Sequence, residues 1–363
     1  MRHRFHSICP YFAMFPESFA EKWILRLSKP GDFVVDPFSG RGTTALVALL
    51  SGRSVVASDV NDVAICLTRA KTSAPAYRVL QRRIDQLKFE FRSRRWLRQA
   101  SEMPEFFRLA FSRRTLAQLL YLREVVNWRD SDADAMVAAL ALGSLHGELS
   151  SPRYLSNQMP RTISTKPAYS VRFWRRHGLV PPERDLFDTL CRHAAFRYES
   201  AVPRGKALTL DRDVRLLPSA RLEKFSLRCL ITSPPYQDMT NFEEDQWLRL
   251  WLLGGPPNPA PGRLSRDDRL IGNDAYWQFI CDMWRSFGAV MAGGAEIVVR
   301  LGSRRKSPQE LRSLMVACSR VSGRQPKLVS SRVSAIKHKQ ARIFHLGARG
   351  CSVEVDFHFR FDH

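Results

Sequence analysis

Ser233-Pro234-Pro235-Tyr236 closes an apolar run that starts at Leu230. The two prolines fix φ and carry no N–H, so a strand must stop there and the backbone stiffens. A hydroxyl, a proline carbonyl and an aromatic ring then face one small space. Such groups suit the holding of a flat ring that bears an amino group. The Pro234 carbonyl can accept one amino proton, the Ser233 hydroxyl another, and the Tyr236 ring can stack on the ring face. Taken alone, the tetrapeptide equally describes a turn after a buried strand.

A second constellation lies far upstream. Phe33-Val34-Val35 runs into Asp36-Pro37-Phe38-Ser39-Gly40-Arg41-Gly42-Thr43-Thr44, which reads as strand, tight turn and helix. Gly40 and Gly42 permit close backbone approach and positive φ. Asp59 follows the strand Ser54–Ser58, about 20 residues after the glycines, where a nucleotide-type fold places a ribose-binding carboxylate. Gly40-x-Gly42-x-x-Ala45 also satisfies the loose dinucleotide fingerprint, but no hydride-transfer partner is visible elsewhere. A phosphate-binding P-loop needs Gly-Lys-Ser/Thr, and the lysine is absent.

Together the two loops resemble the S-adenosylmethionine-dependent DNA amino methyltransferases of the N4-cytosine and N6-adenine type, through DPFxGxGTT and TSPPY. The resemblance implies an α/β fold, a Rossmann-like class I methyltransferase mixed sheet with a mostly helical insertion. It implies that Phe15 and Pro16 pack against the methionine end of the cofactor. Asp36, Pro37, Phe38, Gly40, Gly42, Thr43 and Thr44 would hold the methionine part, and Asp59 the ribose hydroxyls. Asp213, with Arg215, fits an element that contacts the adenine, although Arg212 stands where the family has Gly. Ser233, Pro234, Pro235 and Tyr236 would receive a base flipped out of the duplex, leaving S-adenosylhomocysteine as the product. Ser at the first position of the target motif is common among N4-cytosine enzymes and favours cytosine. Adenine N6 and an RNA amino methyltransferase with the same pocket are the alternatives. A nucleic-acid binder with a decayed site is the third, and the intact motifs argue against it.

These loops need elements to position them. Residues 1–72 and 206–363 read as two halves of one catalytic domain, and 73–205 as a basic helical insertion that recognises the target. Periodicity predicts helices at Ser18–Leu27, Ala45–Leu50 and Ala135–Leu145, two or three over Ala76–Asn127, and others at Glu183–Glu199, Asn241–Gly254 and Tyr276–Met291. Strands are expected at Phe33–Asp36, Ser54–Ser58, Ala207–Leu210, Arg228–Thr232, Ala295–Arg300, Leu328–Ile336, Ala341–Leu346 and Cys351–Phe361. Asn157, Gln158 and Arg161 sit in a polar loop and could read base edges or stabilise the loop itself. Asp238 and Asn241 stand close enough to the target motif to line its pocket. His146 reads as structural, since amine methylation of this type needs no histidine.

The totals fit a polyanionic partner. The 363 residues carry a formal charge of +22 and a pI near 10.4, and neutralising phosphates releases counterions. Duplex DNA is the expected partner. The seven cysteines are scattered without a CxxC pair, so neither a zinc site nor a disulfide framework is indicated, and no metal is required. A reducing cytosol is the expected compartment. No apolar run reaches the ~18 residues of a membrane helix, and Pro10, Pro16 and Glu17 break any signal-peptide core.

Overall fold

Short Val-, Leu- and Ile-rich runs assemble the sheet of the computed structural model, which describes residues 3–11, 15–147, 154–157, 166–222, 225–237, 245–259, 272–334, 351 and 353–362. The strands are β1 (Phe33–Asp36), β2 (Ser54–Asp59), β3 (Ala207–Asp211), β4 (Cys229–Thr232), β5 (Glu296–Ser303), β6 (Lys327–Ser334) and β7 (Val353–Arg360). Their order is β3-β2-β1-β4-β5-β7-β6. Strands β1 to β5 pair in parallel, and β7 enters antiparallel between β5 and β6. The central strands β1, β2 and β4 are nearly continuous apolar runs because a parallel sheet is covered on both faces. The strand order reverses at β1, so the carboxyl ends of β1 and β4 flank the crevice where open α/β sheets bind ligands.

Helices cover the two faces. On one, Phe19, Trp23 and Ile24 of α1 (Glu17–Leu27) and Ala45, Ala48 and Leu49 of α2 (Thr43–Leu50) pack on Val34, Val55, Ile231 and Val298. The next helix, α3, spans Asp62–Thr72. On the other face, Tyr276, Ile280, Met283, Trp284 and Phe287 of α4 (Asn273–Val290) meet Val35, Leu230, Ile297 and Val299. A further helix, α5 (Pro308–Ser319), opens with a capping box. There Ser307 Oγ accepts from Glu310 N–H at 3.2 Å and Glu310 accepts from Ser307 N–H at 2.7 Å. This helix is not among those expected from periodicity, although Ser-x-x-Glu announces it. Cys281 of α4 and Cys318 of α5 form a disulfide with Cα atoms 4.5 Å apart. Spacing had suggested no disulfide framework. This one bridge arises from packing of two helices, which cysteine spacing does not encode, and among the described residues the other five cysteines form no disulfide.

The chain divides into two compact units, one of residues 13–68, 203–240 and 264–363 that holds the sheet, and one of residues 1–12, 69–202 and 241–263. The second is helical. Over the stretch where two or three helices were expected it has four, Tyr77–Glu90, Ser93–Glu102, Glu105–Ala110 and Arg113–Val125. The additional break falls at Pro104, which caps the third. Ser131 accepts from Asp134 N–H and starts the next helix at Asp132, three residues before the apolar run. Asp185, not Glu183, caps Leu186–Arg197. The helix Pro167–Arg176 was not expected at all. Phe106, Phe107, Trp174, Trp247 and Trp251 form one aromatic cluster within this unit. The expected strand Ala341–Leu346 lies outside the described residues.

Candidate active site

Asp36 is the last residue of β1 and opens the first loop. One carboxylate oxygen accepts from Phe38 N–H at 3.2 Å and from the Thr232 hydroxyl at 2.6 Å. Thr232 is the last residue of β4 and immediately precedes Ser233. The two loops, 196 residues apart in sequence, are thus joined by one buried hydrogen bond at the point where the strand order reverses.

The glycines shape the turn. Gly42 has φ 74° and caps α2, and a Cβ there would lie 3.0 Å from the Thr68 Cα. Gly40 has φ 49° and donates its N–H to Asp59 Oδ2 at 2.8 Å. The other oxygen of Asp59 accepts from the N–H groups of Val60 (2.9 Å) and Asn61 (3.1 Å). Pro37, Thr43 and Thr44 are buried in this loop and the first turn of α2, with Phe38 half-buried and 5.8 Å from the Phe279 ring. Pro16 caps α1, and Phe15 lies 4.9 Å from Phe19. Asp213 accepts from Arg215 through backbone and guanidinium at 2.8–2.9 Å, and Arg215 stacks over Phe279 at 5.7 Å.

Burial pushes the Asp36 carboxyl up to about 6, against the opposing pull of the Thr232 hydroxyl. Burial also pushes Asp59 up to about 6, opposed by its backbone donors and reinforced by the nearby charge of Asp36. Neither carboxylate has a cationic side chain within ion-pair distance among the described residues. Buried charges are ordinarily paired. A ligand that brings its own positive charge fits this pair, and S-adenosylmethionine carries both an ammonium and a sulfonium. The folded pKa values lie above the unfolded value near 4. The native state therefore binds more protons between about 4 and 6, and the apo protein loses stability as pH rises through that window.

The Ser233–Tyr236 loop is equally specific. Tyr236 is 8% exposed and its ring rests on Gly302 of β5, where a Cβ would come within 2.4 Å of Cε2. The Tyr236 hydroxyl donates to Glu354 Oε1 at 3.2 Å and accepts from Ser233 Oγ at 3.3 Å. Burial holds this phenol well above its usual range, with the Glu354 charge adding to it. Gly302 and Glu354 are cross-strand partners, as are Arg300 and Asp356. The buried Arg300 guanidinium is held by Asp356 at 2.6 and 3.0 Å and lies 3.9 Å over the Phe19 ring. The Pro235 carbonyl accepts from Tyr276 Oη at 3.0 Å, while among the described residues nothing donates to the Pro234 carbonyl. Thr232 stood in the TSPPY motif without a role of its own, and Gly302 and Glu354 were not singled out from the sequence. The signal for Glu354 was an acid alternating into an otherwise inward-facing strand, Val353-Glu354-Val355-Asp356.

Other candidates fall elsewhere. Asn157 is buried and donates to the carbonyls of Leu109 (3.3 Å) and Leu179 (3.1 Å), so it braces its loop. His146 is buried against Ser156 Oγ at 2.9 Å. Gln158, Arg161, Asp238 and Asn241 lie outside the described residues. Among the described residues no cluster of three or more His, Cys, Asp or Glu side chains forms a metal site, and no helix is long and apolar enough to cross a membrane.

The strand order, the antiparallel β7 and the crevice at β1 and β4 define a Rossmann-like class I methyltransferase fold. Residues 3–68 match the sequence profile of the N6/N4 methyltransferases, a family of DNA methylases. That segment holds the first of the two loops, Asp36–Thr44, and not Ser233–Tyr236. It is 47% identical over 49 residues to the orphan methyltransferase M.BamHII of Bacillus amyloliquefaciens, covering 14% of this chain and 18% of that protein. It is 46% identical over 46 residues to the DNA adenine methyltransferase YhdJ of Escherichia coli K12, covering 13% and 16%. The matches therefore span less than a fifth of either relative's length. Among solved structures, an rRNA methyltransferase, AviRa of Streptomyces viridochromogenes, aligns with TM-score 0.35 and 16% identity over 97% of this chain and 87% of its own. TrmN of Thermus thermophilus aligns with TM-score 0.39 and 12% identity over 99% and 52%. Likeness at that level leaves the strand order to define the fold.

Proposed function

We propose that the protein is an S-adenosylmethionine-dependent methyltransferase that modifies the exocyclic amino group of a base flipped out of duplex DNA, at cytosine N4. The Asp36–Thr232 bond carries the reading, because it sets a cation-seeking carboxylate loop directly beside an amine-accepting one. Asp36 and the glycine loop hold the methionine part, Asp59 the ribose, and the Asp213 turn the adenine, with Phe15 and Pro16 at the methionine end. When bound, the cofactor supplies an electrophilic methyl group on its sulfonium. Ser233 and the Pro234 carbonyl orient the target amine so that its lone pair points at that methyl group. Tyr236, seated on Gly302, stacks on the base. Catalysis is mainly positioning. Ser233 is too weak a base to take the proton first, so the proton leaves the amine after transfer. The sheet-bearing halves are the catalytic domain, and the basic insertion 73–205 meets the target.

The choice of base rests on Ser233. The YhdJ match supports adenine N6 as the second reading, with the same fold and the same pocket. The test is incubation with radiolabelled S-adenosylmethionine and mixed-sequence duplex DNA, then digestion and separation of nucleosides. Label in N4-methylcytosine is the expected result. Label in N6-methyladenine replaces the base and keeps the mechanism, and label only on RNA overturns the DNA assignment.

A pH dependence follows from the two carboxylates. Asp36 must be ionised to meet the ligand's ammonium and Asp59 to accept from both ribose hydroxyls, and both sit near 6 in the apo protein. Cofactor affinity should rise about tenfold per carboxylate from pH 5 to 7 and level off above that. Isothermal titration across this range measures it; a flat profile removes Asp36 and Asp59 from the cofactor site.

A further inference from the structure

The helix Pro167–Arg176 presents a face that its own fold does not explain. It has no acidic residue, and it starts with Pro at its first turn. Ser170 and Trp174 point inward, Trp174 being 1% exposed and 5.4 Å from the Phe106 ring. The opposite stripe is Tyr169, Arg172, Phe173, Arg176 and His177. Their spacing of i, i+3, i+4, i+7 and i+8 puts them on one side of the helix.

Three of these five are rings. Tyr169 is 48% exposed and lies nearly parallel to Phe173, centroids 6.4 Å apart at 26°. Phe173 lies 4.3 Å from the His177 ring. The two others are exposed arginines, and neither Arg172 nor Arg176 has a carboxylate partner among the described residues. The adjacent Arg175 does, pairing with Glu105. Acids are thus available nearby yet do not neutralise the stripe. An ordinary solvated helix face mixes charges of both signs and keeps aromatics inward. A ladder of rings, Tyr169 and His177 exposed and Phe173 half-buried between them, beside guanidinium groups without carboxylate partners among the described residues is complementary to a polyanion that also offers flat apolar edges.

We infer that this stripe is a docking face for duplex DNA, an inference that rests on the proposed DNA methyltransferase activity and locates part of its target contact. Arg172 and Arg176 meet phosphates, which fixes the position of the helix on the backbone. Tyr169 and Phe173 reach base edges and thymine methyl groups in a groove wide enough for a helix.

The test uses the full-length protein, a fluorescein-labelled mixed-sequence duplex, and binding by anisotropy across a salt series. Two double variants are compared with wild type, Arg172→Ala with Arg176→Ala, and Tyr169→Ala with Phe173→Ala. All four positions lie on the helix's outer stripe, so far-UV circular dichroism and Tm should hold, as should S-adenosylmethionine affinity. The arginine variant should bind at least ~10-fold more weakly near physiological salt and reduce the slope of log K against log salt by about 2. The ring variant should weaken binding with the slope unchanged. Wild-type affinity and slope in both variants, in a protein that does methylate duplex DNA, overturn the docking face alone. A wild type that dimerises, with monomeric variants of unchanged DNA affinity, makes the stripe a self-association surface instead. A wild type that neither binds nor methylates duplex DNA overturns the underlying activity as well.

Discussion

Asp36→Asn should weaken S-adenosylmethionine binding by about 100-fold or more while leaving the apo protein at least as stable at pH 7. The two effects have one cause. Asn retains an oxygen that can accept from Phe38 N–H and Thr232 Oγ1, so the link between the loops survives. What it removes is a buried negative charge with no protein cation beside it. In the apo protein that charge is a burden, as its pKa of about 6 records. Against a ligand's ammonium the same charge would make a charge-assisted hydrogen bond worth about 1.5–3 kcal/mol, and loss of the ion attraction in a buried site would add to it. At 1.4 kcal/mol per tenfold, about 3 kcal/mol is two decades of affinity. Calorimetric titration and a thermal melt on the same sample measure both quantities. Unchanged cofactor affinity removes Asp36 from the site, and an unfolded variant makes the residue structural.

The local parts of this design were readable from the sequence, because they are written in short spacings. β1 falls at Phe33–Asp36 as its apolar run predicts, and the Asp-Pro-Phe-Ser-Gly-Arg-Gly loop forms the turn that its glycines allow. Ser233-Pro234-Pro235-Tyr236 ends β4 as two prolines must. The non-local parts were not readable. Gly302 and Glu354 meet because β7 runs antiparallel beside β5, a register that 51 intervening residues do not announce. Cys281 and Cys318 meet only because α4 packs on α5. The helix Pro167–Arg176 was hidden by its own composition. A stripe of aromatic and basic residues carries no aliphatic periodicity, and Trp174 with Ser170 is a thin inward face.

Gly302→Ala should lower methyl transfer to DNA by about 100-fold and leave cofactor affinity near wild type. The added Cβ would sit 2.4 Å from Tyr236 Cε2 and 3.0 Å from Cys351 Sγ. The Tyr236 ring, which is rigid and 8% exposed, has to move. Displacement breaks its bond to Glu354 and its contact with Ser233 Oγ. A shift of about 1 Å in a group that orients a reactant can cost ~100-fold when catalysis is positional. Asp36, Gly40 and Asp59 make their contacts without Tyr236, so the cofactor side should be spared. Single-turnover methylation should fall, with S-adenosylmethionine titration unchanged and Tm lowered by the strain. Ser233→Ala with Tyr236→Ala should show the same division between transfer and cofactor binding. Overpacking alone could unfold the site, so a second comparison isolates the tyrosine. Tyr236→Phe and Glu354→Ala each remove one end of the same hydrogen bond, and their effects on transfer should not add in the double variant. Glu354→Gln keeps an acceptor and should restore most of the rate. Additive losses, or a Gly302→Ala protein that methylates at the wild-type rate, would mean that the ring's seat on β5 does not set the pose of the base.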